Sequence, residues 1–218
     1  MMLKQVISII FLFLPLLGFA EEFVAGKDYE LISGVNETPA PSNHKTPVTE
    51  FFSYGCPWCY RIEPALESWV KQKGETIQFS RVPVIFHKDW AYYAKAYYTA
   101  HLLNLESKLN PLLFKTIQEK DNSMNSNQAM VDFFTAQGVD PTTAKSAFEN
   151  STTIDMQINE GTALMARYRV NGVPAFVIAN QYKTDLQMAK GQERLLKILD
   201  FLITKANKNE IKSGVRQS

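Results

Sequence analysis

The stretch SYGCPWCY, residues 53–60, contains both cysteines of this 218-residue chain, Cys56 and Cys59. The run before it, residues 48–53 (VTEFFS), has the composition of a β-strand. After it, a helical pattern begins at Pro57 and ends near Gly74. The two cysteines are therefore predicted to lie where a strand gives way to a helix. A Cys-X-X-Cys pair at such a junction indicates redox chemistry.

The position of Cys56 at the start of a helix predicts its reactivity. Unpaired backbone N–H groups, including those of Trp58 and Cys59, and the positive end of the helix dipole would stabilise a thiolate there. We therefore expect a lowered pKa and the role of nucleophile for Cys56. Cys59 would lie one helical turn further on, about 5–6 Å away between Cβ atoms, and would resolve a mixed disulfide. Pro57 suits the first turn, where a missing N–H loses no hydrogen bond.

Three other interpretations of the cysteine pair remain open at this point. A structural disulfide closing so small a loop would restrain the unfolded chain by only about 2 kcal/mol. Half of a zinc site would need further ligands, and His44, His87 and His101 show no paired spacing. A pair of inert buried thiols fits poorly with an exported protein, because exported proteins fold in an oxidising space.

The first residues of the chain predict export. Residues 1–20 combine Lys4, an almost wholly apolar run and small residues before Glu21, which is the pattern of a cleaved secretory signal peptide. An uncleaved membrane anchor is the alternative, although the apolar run is short for a span of about 20 residues. We expect the mature protein to be periplasmic.

Charge and composition restrict the class of partner. The signal peptide contains one lysine and no acid, so its removal leaves as many basic residues as the 22 acidic ones. A formally neutral chain argues against nucleic acid or an anionic membrane surface as the main partner. About 200 residues with 45% hydrophobic composition are enough to bury a core.

The remaining pattern predicts an α/β protein. Residues 21–47 form an N-terminal arm with a short strand at 29–32, and a further strand is predicted at 77–85. Residues 89–153 are predicted to be helical, with helices that begin near Trp90, at Pro111, at Ser126 and at Asp140-Pro141. A helix (154–167), two strands (175–179 and 185–190) and a terminal helix (192–205) follow. Residues 207–218 are expected to be a disordered tail.

This order of elements predicts a thioredoxin-like fold with an inserted helical domain. Its first part would be residues 48–88, its second part residues 154–206, and the insertion residues 89–153. The insertion opens with a stripe of large apolar side chains at helical spacing: Trp90, Tyr93, Tyr97, Tyr98, Leu102 and Leu105. We interpret this stripe as the core of the insertion rather than as a cofactor or peptide groove.

Two segments resemble one known family. FFSYGCPWCY (residues 51–60) is similar to the active-site segment of the DsbA family of periplasmic thiol:disulfide oxidoreductases, and VNGVPAFVIAN (170–180) is similar to the cis-proline strand of that family. With the helical insertion, the resemblance spans nearly all of the mature chain. The best-known members carry histidine where Trp58 stands. Tryptophan, unlike histidine, offers no charge to a thiolate.

The resemblance adds candidate site residues. It implies a cis peptide bond before Pro174, with the backbone of Val173 free to pair with an extended substrate. Glu50 shares a strand face with Val48 and Phe52, so its carboxylate is expected to be buried, to have a raised pKa and to exchange protons with Cys59. An ordinary strand-starting proline and a solvated carboxylate are the alternatives. Glu63 matches another acid of the family but fits a solvated helix charge equally well.

We therefore predict an exported, monomeric oxidoreductase that donates its Cys56–Cys59 disulfide to exported proteins with free thiols. Pro57, Trp58 and Val173 would contact the substrate, and Glu50 and Pro174 would assist the cysteines. A membrane reoxidase of the DsbB type is implied by the resemblance, and neither a metal nor an organic cofactor is indicated. The alternatives are a reductase or isomerase of the same fold, a glutathione-dependent enzyme, and a peptide-binding chaperone with incidental cysteines.

Overall fold

The computed structural model describes residues 22–32, 45–119 and 124–214. The predicted signal peptide, residues 1–20, lies outside the described residues, as does His44. Within the described ranges, no helix is both long enough and apolar enough to cross a membrane.

A mixed sheet forms the centre of the fold. Among the described residues it has five strands, in the spatial order β1-β5-β4-β2-β3. Only the β2–β3 pair is parallel, as expected when a helix connects two neighbouring strands. The strands are β1 (Glu30–Leu31), β2 (Thr46–Phe52), β3 (Ile77–Pro83), β4 (Ala175–Ile178) and β5 (Tyr182–Asp185).

Helices cover both faces of this sheet and form a separate block between β3 and β4. Helix α1 connects β2 to β3, α2 to α5 lie within the segment predicted to be inserted, and α6 leads back to the sheet. Together these elements confirm the predicted α/β class with a helical insertion. The helices are α1 (Pro57–Lys73), α2 (Trp90–Leu102), α3 (Glu106–Glu119), α4 (Asn127–Ala136), α5 (Pro141–Asn150), α6 (Thr152–Arg167), α7 (Leu186–Ala189) and α8 (Gln192–Gly214).

The cysteines lie where the insertion meets the sheet. One cluster of buried side chains joins Phe52, Tyr54 and both cysteines to the aromatic residues of α2 and to the other helices of the insertion. Tyr93, Tyr97 and Tyr98 are buried in it, so most of the aromatic stripe is core, as predicted. The stripe is shorter than predicted, because Leu102 is 43% exposed at the end of α2 and Leu105 lies beyond that helix.

Other core clusters lie on the two faces of the sheet. Apolar side chains of α1 and α8, such as Leu66 and Leu199, pack on one face together with Val48. On the other face, Phe51 packs with Tyr168 and with Leu164 of α6. Side chains of β2 thus enter three clusters, which explains why this strand is buried over most of its length.

Two predicted elements were placed wrongly. The strand expected at residues 185–190 is at Tyr182–Asp185 instead, because the Asp185 carboxylate accepts a hydrogen bond from the Met188 backbone N–H (2.7 Å) and so begins the short helix α7. Helix α3 begins at Glu106 rather than at Pro111, which lies inside it. Burial of Leu109 and Asn110 holds this first turn in place despite the proline.

Both ends of the predicted fold also differ from expectation. Strand β2 begins at Thr46, inside the segment that we assigned to the N-terminal arm. Helix α8 continues to Gly214, through most of the tail predicted to be disordered. The Oδ1 of Asn207 accepts a hydrogen bond from the Thr46 hydroxyl, and the Nδ2 of Asn209 donates one to the Tyr182 hydroxyl. These hydrogen bonds attach the end of α8 to the sheet, whereas the polar composition of the segment predicted a disordered tail.

The close packing of Trp90, in the insertion, against Gly55 in the cysteine turn can be tested by mutation. A Cβ on Gly55 would lie 2.3 Å from the indole Nε1 of Trp90, whereas a Cβ on Gly172 would meet nothing within 4 Å. We predict that Gly55→Ala lowers the free energy of unfolding in urea by about 1–3 kcal/mol because of overpacking. Gly172→Ala is the matched control and should be close to neutral. A Gly55→Ala variant as stable as the control would contradict the close packing of Trp90.

Candidate active site

Cys56 occupies the N-cap position of helix α1. Its backbone is extended (φ −91°, ψ 116°), and Pro57 follows as the first helical residue. The side chain is 5% exposed and makes no capping hydrogen bond; instead its S–H group donates to the Val173 carbonyl at 3.4 Å. A thiolate cannot donate this bond but can accept from the N–H groups at the helix start, so loss of the proton suits the position.

The pKa values of the two thiols are shifted in opposite directions. Cys59 is fully buried, and both residues are free cysteines in this structure. The pKa of Cys56 is lowered to about 7, first by a hydrogen bond from the Cys59 side chain and then by the backbone N–H groups of Cys59 and Trp58. Burial, the hydrogen bond with Cys56 and the charge of Glu50 raise the pKa of Cys59 well above its ordinary value. Cys56 is therefore the thiol that ionises first, which is the direction that the sequence predicted.

Val173 and Pro174 lie beside the sulfur of Cys56. The peptide bond between them is cis, in agreement with the family resemblance. Pro174 is buried and Val173 is half-buried at the start of β4. The hydrogen bond between Cys56 and the Val173 carbonyl brings these two segments together although they are far apart in the sequence.

A groove opens next to this pair. It has a volume of about 630 Å³ and is bounded by α1, by residues 171–174 and by the α7 turn. Trp58 forms part of its wall and is 54% exposed, which is unusual for so large an apolar side chain. Val173 and Pro174 line it as well, so two of the three predicted contact residues, Trp58 and Val173, border one cavity together with Pro174. Pro57 is exposed at the start of α1 but does not line the groove.

Glu50 is buried beneath the cysteines, as predicted, but it is not alone there. It is fully buried and its carboxylate accepts a hydrogen bond from the Arg81 Nε at 2.8 Å. The two residues are opposite each other in the parallel register of β2 and β3. Burial raises the pKa of Glu50, and the Arg81 guanidinium opposes that rise. The charge of Glu50 in turn raises the pKa of both cysteines.

Glu63 belongs to the same buried network and is not a solvated helix charge. Its Oε1 accepts hydrogen bonds from the Arg81 guanidinium (2.8 Å) and from the Asn110 side chain (2.5 Å). The Oδ1 of Asn110 accepts a further hydrogen bond from the Tyr54 hydroxyl at 2.9 Å. Burial raises the pKa of Glu63 to about 8, against the attraction of Arg81. Strands β2 and β3 and helix α1 therefore meet at the Arg81 guanidinium, and Asn110 connects the insertion to it through Glu63.

The network has one cation for two carboxylates. One oxygen of each carboxyl group, Oε1 of Glu50 and Oε2 of Glu63, is buried and has no hydrogen-bond partner among the described residues. Two buried carboxylates that share one guanidinium do not both ionise readily. The arrangement can therefore hold a proton close to the cysteine pair.

Sequence reasoning missed Arg81 and Asn110. Arg81 lies in a strand whose alternation was readable, and the parallel pairing of β2 with β3 would have placed it opposite Glu50. Asn110 carried no such signal, because its contact with Glu63 depends on how the insertion docks. Within the part of the chain that the structure describes, no three His, Cys, Asp or Glu side chains are grouped as metal ligands would be.

Comparison with known proteins gives one family. The family model of the DSBA-like thioredoxin domain matches residues 47–202. The thiol:disulfide interchange protein DsbA of Burkholderia cepacia is 35% identical over 206 residues, covering 92% of this chain and 96% of the relative. DsbA of Pseudomonas aeruginosa strain PAO1 is 31% identical over 186 residues, covering 85% of this chain and 87% of the relative.

Solved structures agree with the sequence comparisons. The crystal structure of Pseudomonas aeruginosa DsbA is similar to this fold with a TM-score of 0.78 and 30% identity, and the match covers 86% of this chain and 96% of that one. The oxidoreductase DsbA from Xylella fastidiosa has a TM-score of 0.75 and 26% identity over 84% of this chain and 96% of that one.

Replacing Cys59 is predicted to change the pKa of Cys56. Because the Cys59 side chain is the largest cause of the lowered pKa of Cys56, Cys59→Ala should raise that pKa by about one unit. Cys59→Ser retains a hydrogen-bond donor and should raise it less. The thiolate absorbance of Cys56 as a function of pH measures this. A Cys56 midpoint in Cys59→Ala equal to that of the reduced wild-type protein would show that the Cys59 side chain does not stabilise the thiolate.

Glu63 generates a prediction about stability. A carboxyl group whose pKa rises on folding, here from 4.5 to about 8, destabilises the fold progressively as pH rises through that window. Glu63→Gln retains an acceptor for Arg81 and removes the charge. The free energy of unfolding of Glu63→Gln minus that of the wild type should therefore increase from pH 5 to pH 8, by on the order of a few kcal/mol. Both proteins are compared in the disulfide form, so that no thiol titrates.

Glu193→Gln is the control for this experiment, because Glu193 is exposed in the first turn of α8 and is not one of the charges that shift the pKa of Glu63. We expect it to show little change over the same pH range. A flat difference for Glu63→Gln as well would mean that Glu63 is already ionised at low pH.

Proposed function

The chain belongs to the DsbA family of thiol:disulfide oxidoreductases, and we propose that it is an oxidase that donates its Cys56–Cys59 disulfide to exported proteins. The observation that carries this proposal is the difference in acidity between the two thiols. The Cys56 thiolate is stabilised, and Cys59 is kept protonated. Whatever stabilises the reduced form makes the disulfide a stronger oxidant, and the similarity to relatives named thiol:disulfide interchange protein DsbA supports donation as the direction of transfer.

The reaction takes place in two exchanges. A substrate thiolate attacks the sulfur of Cys56, the Cys56–Cys59 bond breaks, and Cys59 leaves as a thiolate that takes up a proton. A second substrate thiolate then attacks the substrate sulfur of the mixed disulfide, and Cys56 leaves as the better leaving group. Two electrons have moved from the substrate thiols to the cysteine pair; Cys59 takes up one of the two protons that the substrate thiols released, and because Cys56 leaves as a thiolate the other stays in solvent.

The surroundings of the pair support roles for the other predicted residues. The effect of the Glu50 charge on the pKa of Cys59 supports a role for the Glu50–Arg81–Glu63 network as a proton store for the thiol that must be protonated and deprotonated in each cycle. Trp58, Pro57, Val173 and Pro174 surround Cys56, and an extended substrate segment would lie against them, paired with the Val173 backbone.

The same proposal includes the localisation of the protein, its oligomeric state and its reoxidising partner. Residues 1–20 would direct export and be removed, the mature protein would act in the periplasm as a monomer, and a DsbB-type membrane protein would reoxidise the cysteine pair. A reductase, an isomerase or a chaperone with incidental cysteines has less support. The relatives are named thiol:disulfide interchange proteins DsbA, and the family model that matches most of the chain is the DSBA-like thioredoxin domain.

Trapping experiments test the two cysteine roles. Cys59→Ser should accumulate long-lived mixed disulfides between Cys56 and exported proteins, because no internal thiol can release them. Cys56→Ser should accumulate at least tenfold fewer, since Cys59 is buried and its thiolate is disfavoured. Non-reducing electrophoresis of periplasmic extracts measures both. Equal trapping by the two variants would mean that the roles are misassigned.

A further inference from the structure

We infer that the groove beside Cys56 selects substrate segments that carry a carboxylate two or three residues from the reacting cysteine, next to an apolar side chain. This inference rests on the proposed function and adds a substrate class to it. The residues that carry it are Trp58, Arg61 and Lys190, which line the same cavity.

The apolar part of the groove lies beside the cysteine site, because Val173 lines it and its carbonyl accepts the hydrogen bond from Cys56. Ile62, Val173, Pro174 and Leu186 line it, and the exposed ring of Trp58 extends this surface toward solvent. A groove of about 630 Å³ accommodates a few side chains of an extended peptide, but not a folded domain. An apolar side chain close to the substrate cysteine would be buried here.

The charge of the groove is the feature that narrows the substrate class. Its charged lining residues are Arg61, Lys190 and Asp185. Asp185 is already engaged, because its carboxylate caps α7 by accepting from the Met188 N–H at 2.7 Å. Within the described ranges neither Arg61 nor Lys190 has a carboxylate within ion-pair distance, although both are exposed. The groove thus presents two cations outside any ion pair among the described residues and one capping carboxylate, so its lining carries a net positive charge.

Arg61 is held in a defined position. Its guanidinium lies over the ring of Trp58, 4.7 Å from the ring centroid, one helical turn beyond it. This contact orders a long side chain before substrate arrives and leaves the edge of the guanidinium free to bind a carboxylate. Lys190 is fixed at its backbone instead, because it ends α7 in the left-handed conformation (φ 58°).

The spacing between the cations and the cysteine sets the position of the acidic residue. Arg61 is five residues beyond Cys56 on α1, so their Cα atoms are separated by about 7–8 Å along the helix axis. An extended peptide advances about 3.3 Å per residue, so a side chain two or three residues from the reacting cysteine reaches this distance. Nucleic acid would not satisfy the apolar surface, which is why a peptide with both features is the occupant that fits.

The test uses three peptides that differ at one position. The residue two positions after the reacting cysteine is Glu, Gln or Lys, and the rest of the sequence is the same. Each carries a second cysteine and a phenylalanine, and loss of peptide thiol is followed after mixing with the oxidised protein. At low ionic strength we expect the Glu peptide to be oxidised roughly three- to tenfold faster than the Lys peptide, with the Gln peptide between them. In about 0.5 M salt the ratio should fall below about twofold.

Variants of the protein identify the groups responsible. Arg61→Gln and Lys190→Gln should each reduce the Glu-to-Lys ratio, and the double variant should bring it close to one. Arg61→Lys keeps the charge and should retain most of the ratio. Lys145→Gln is the control, because Lys145 is an exposed lysine on α5 that does not line the groove, and it should leave the ratio unchanged.

The outcomes separate this inference from the proposed function. If all three peptides are oxidised at one rate, the substrate preference is wrong and the oxidase remains. If a preference exists but persists in the double variant, the groove cations are not its cause and the inference is overturned. If no peptide is oxidised although the disulfide is intact, the proposed function itself fails.

Discussion

The N-terminus of helix α1 beneath the sulfur of Cys56 is the constraint on which the rest of the site depends. It leaves backbone N–H groups without helical partners at the point where a thiolate forms, and Cys59 supplies a further hydrogen bond from one turn below. Because the same turn buries Cys59, the helix makes one thiol acidic and the other reluctant to ionise. This asymmetry makes Cys56 the sulfur that exchanges with substrate thiols.

A second constraint is the single guanidinium between two buried carboxylates. Arg81 on β3 joins Glu50 on β2 to Glu63 on α1, and Asn110 brings the helical insertion into the same network. Removing one partner of a buried ion pair is usually costly, since a charge remains without compensation. The network therefore couples the docking of the insertion to the proton balance under Cys59. This explains why polar residues occupy a region that could have been filled with apolar side chains.

The sequence predicted the parts of this arrangement that depend on local chemistry. The cysteine turn, the buried face of β2 and the proline beside Cys56 could be read from spacing, alternation and family resemblance. Arg81, the partner of Glu50, could not be predicted in this way. The pairing depends on the register between β2 and β3, which local sequence does not determine. Glu63 has the same local pattern as a solvated helix residue, and only the docking of Asn110 distinguishes the two. The strand misplaced at residues 185–190 failed for a local reason, the capping strength of Asp185.

The central claim is that the reduced form of the Cys56–Cys59 pair is stabilised enough to make the disulfide an oxidant. The most direct measurement is the equilibrium between this pair and glutathione, followed by tryptophan fluorescence or by thiol trapping at a series of glutathione ratios. The account predicts a reduction potential less negative than about −200 mV, so that the disulfide passes to substrate thiols. A potential at or below about −270 mV, the range of thioredoxins, would contradict it, because the pair would then act as a reductant.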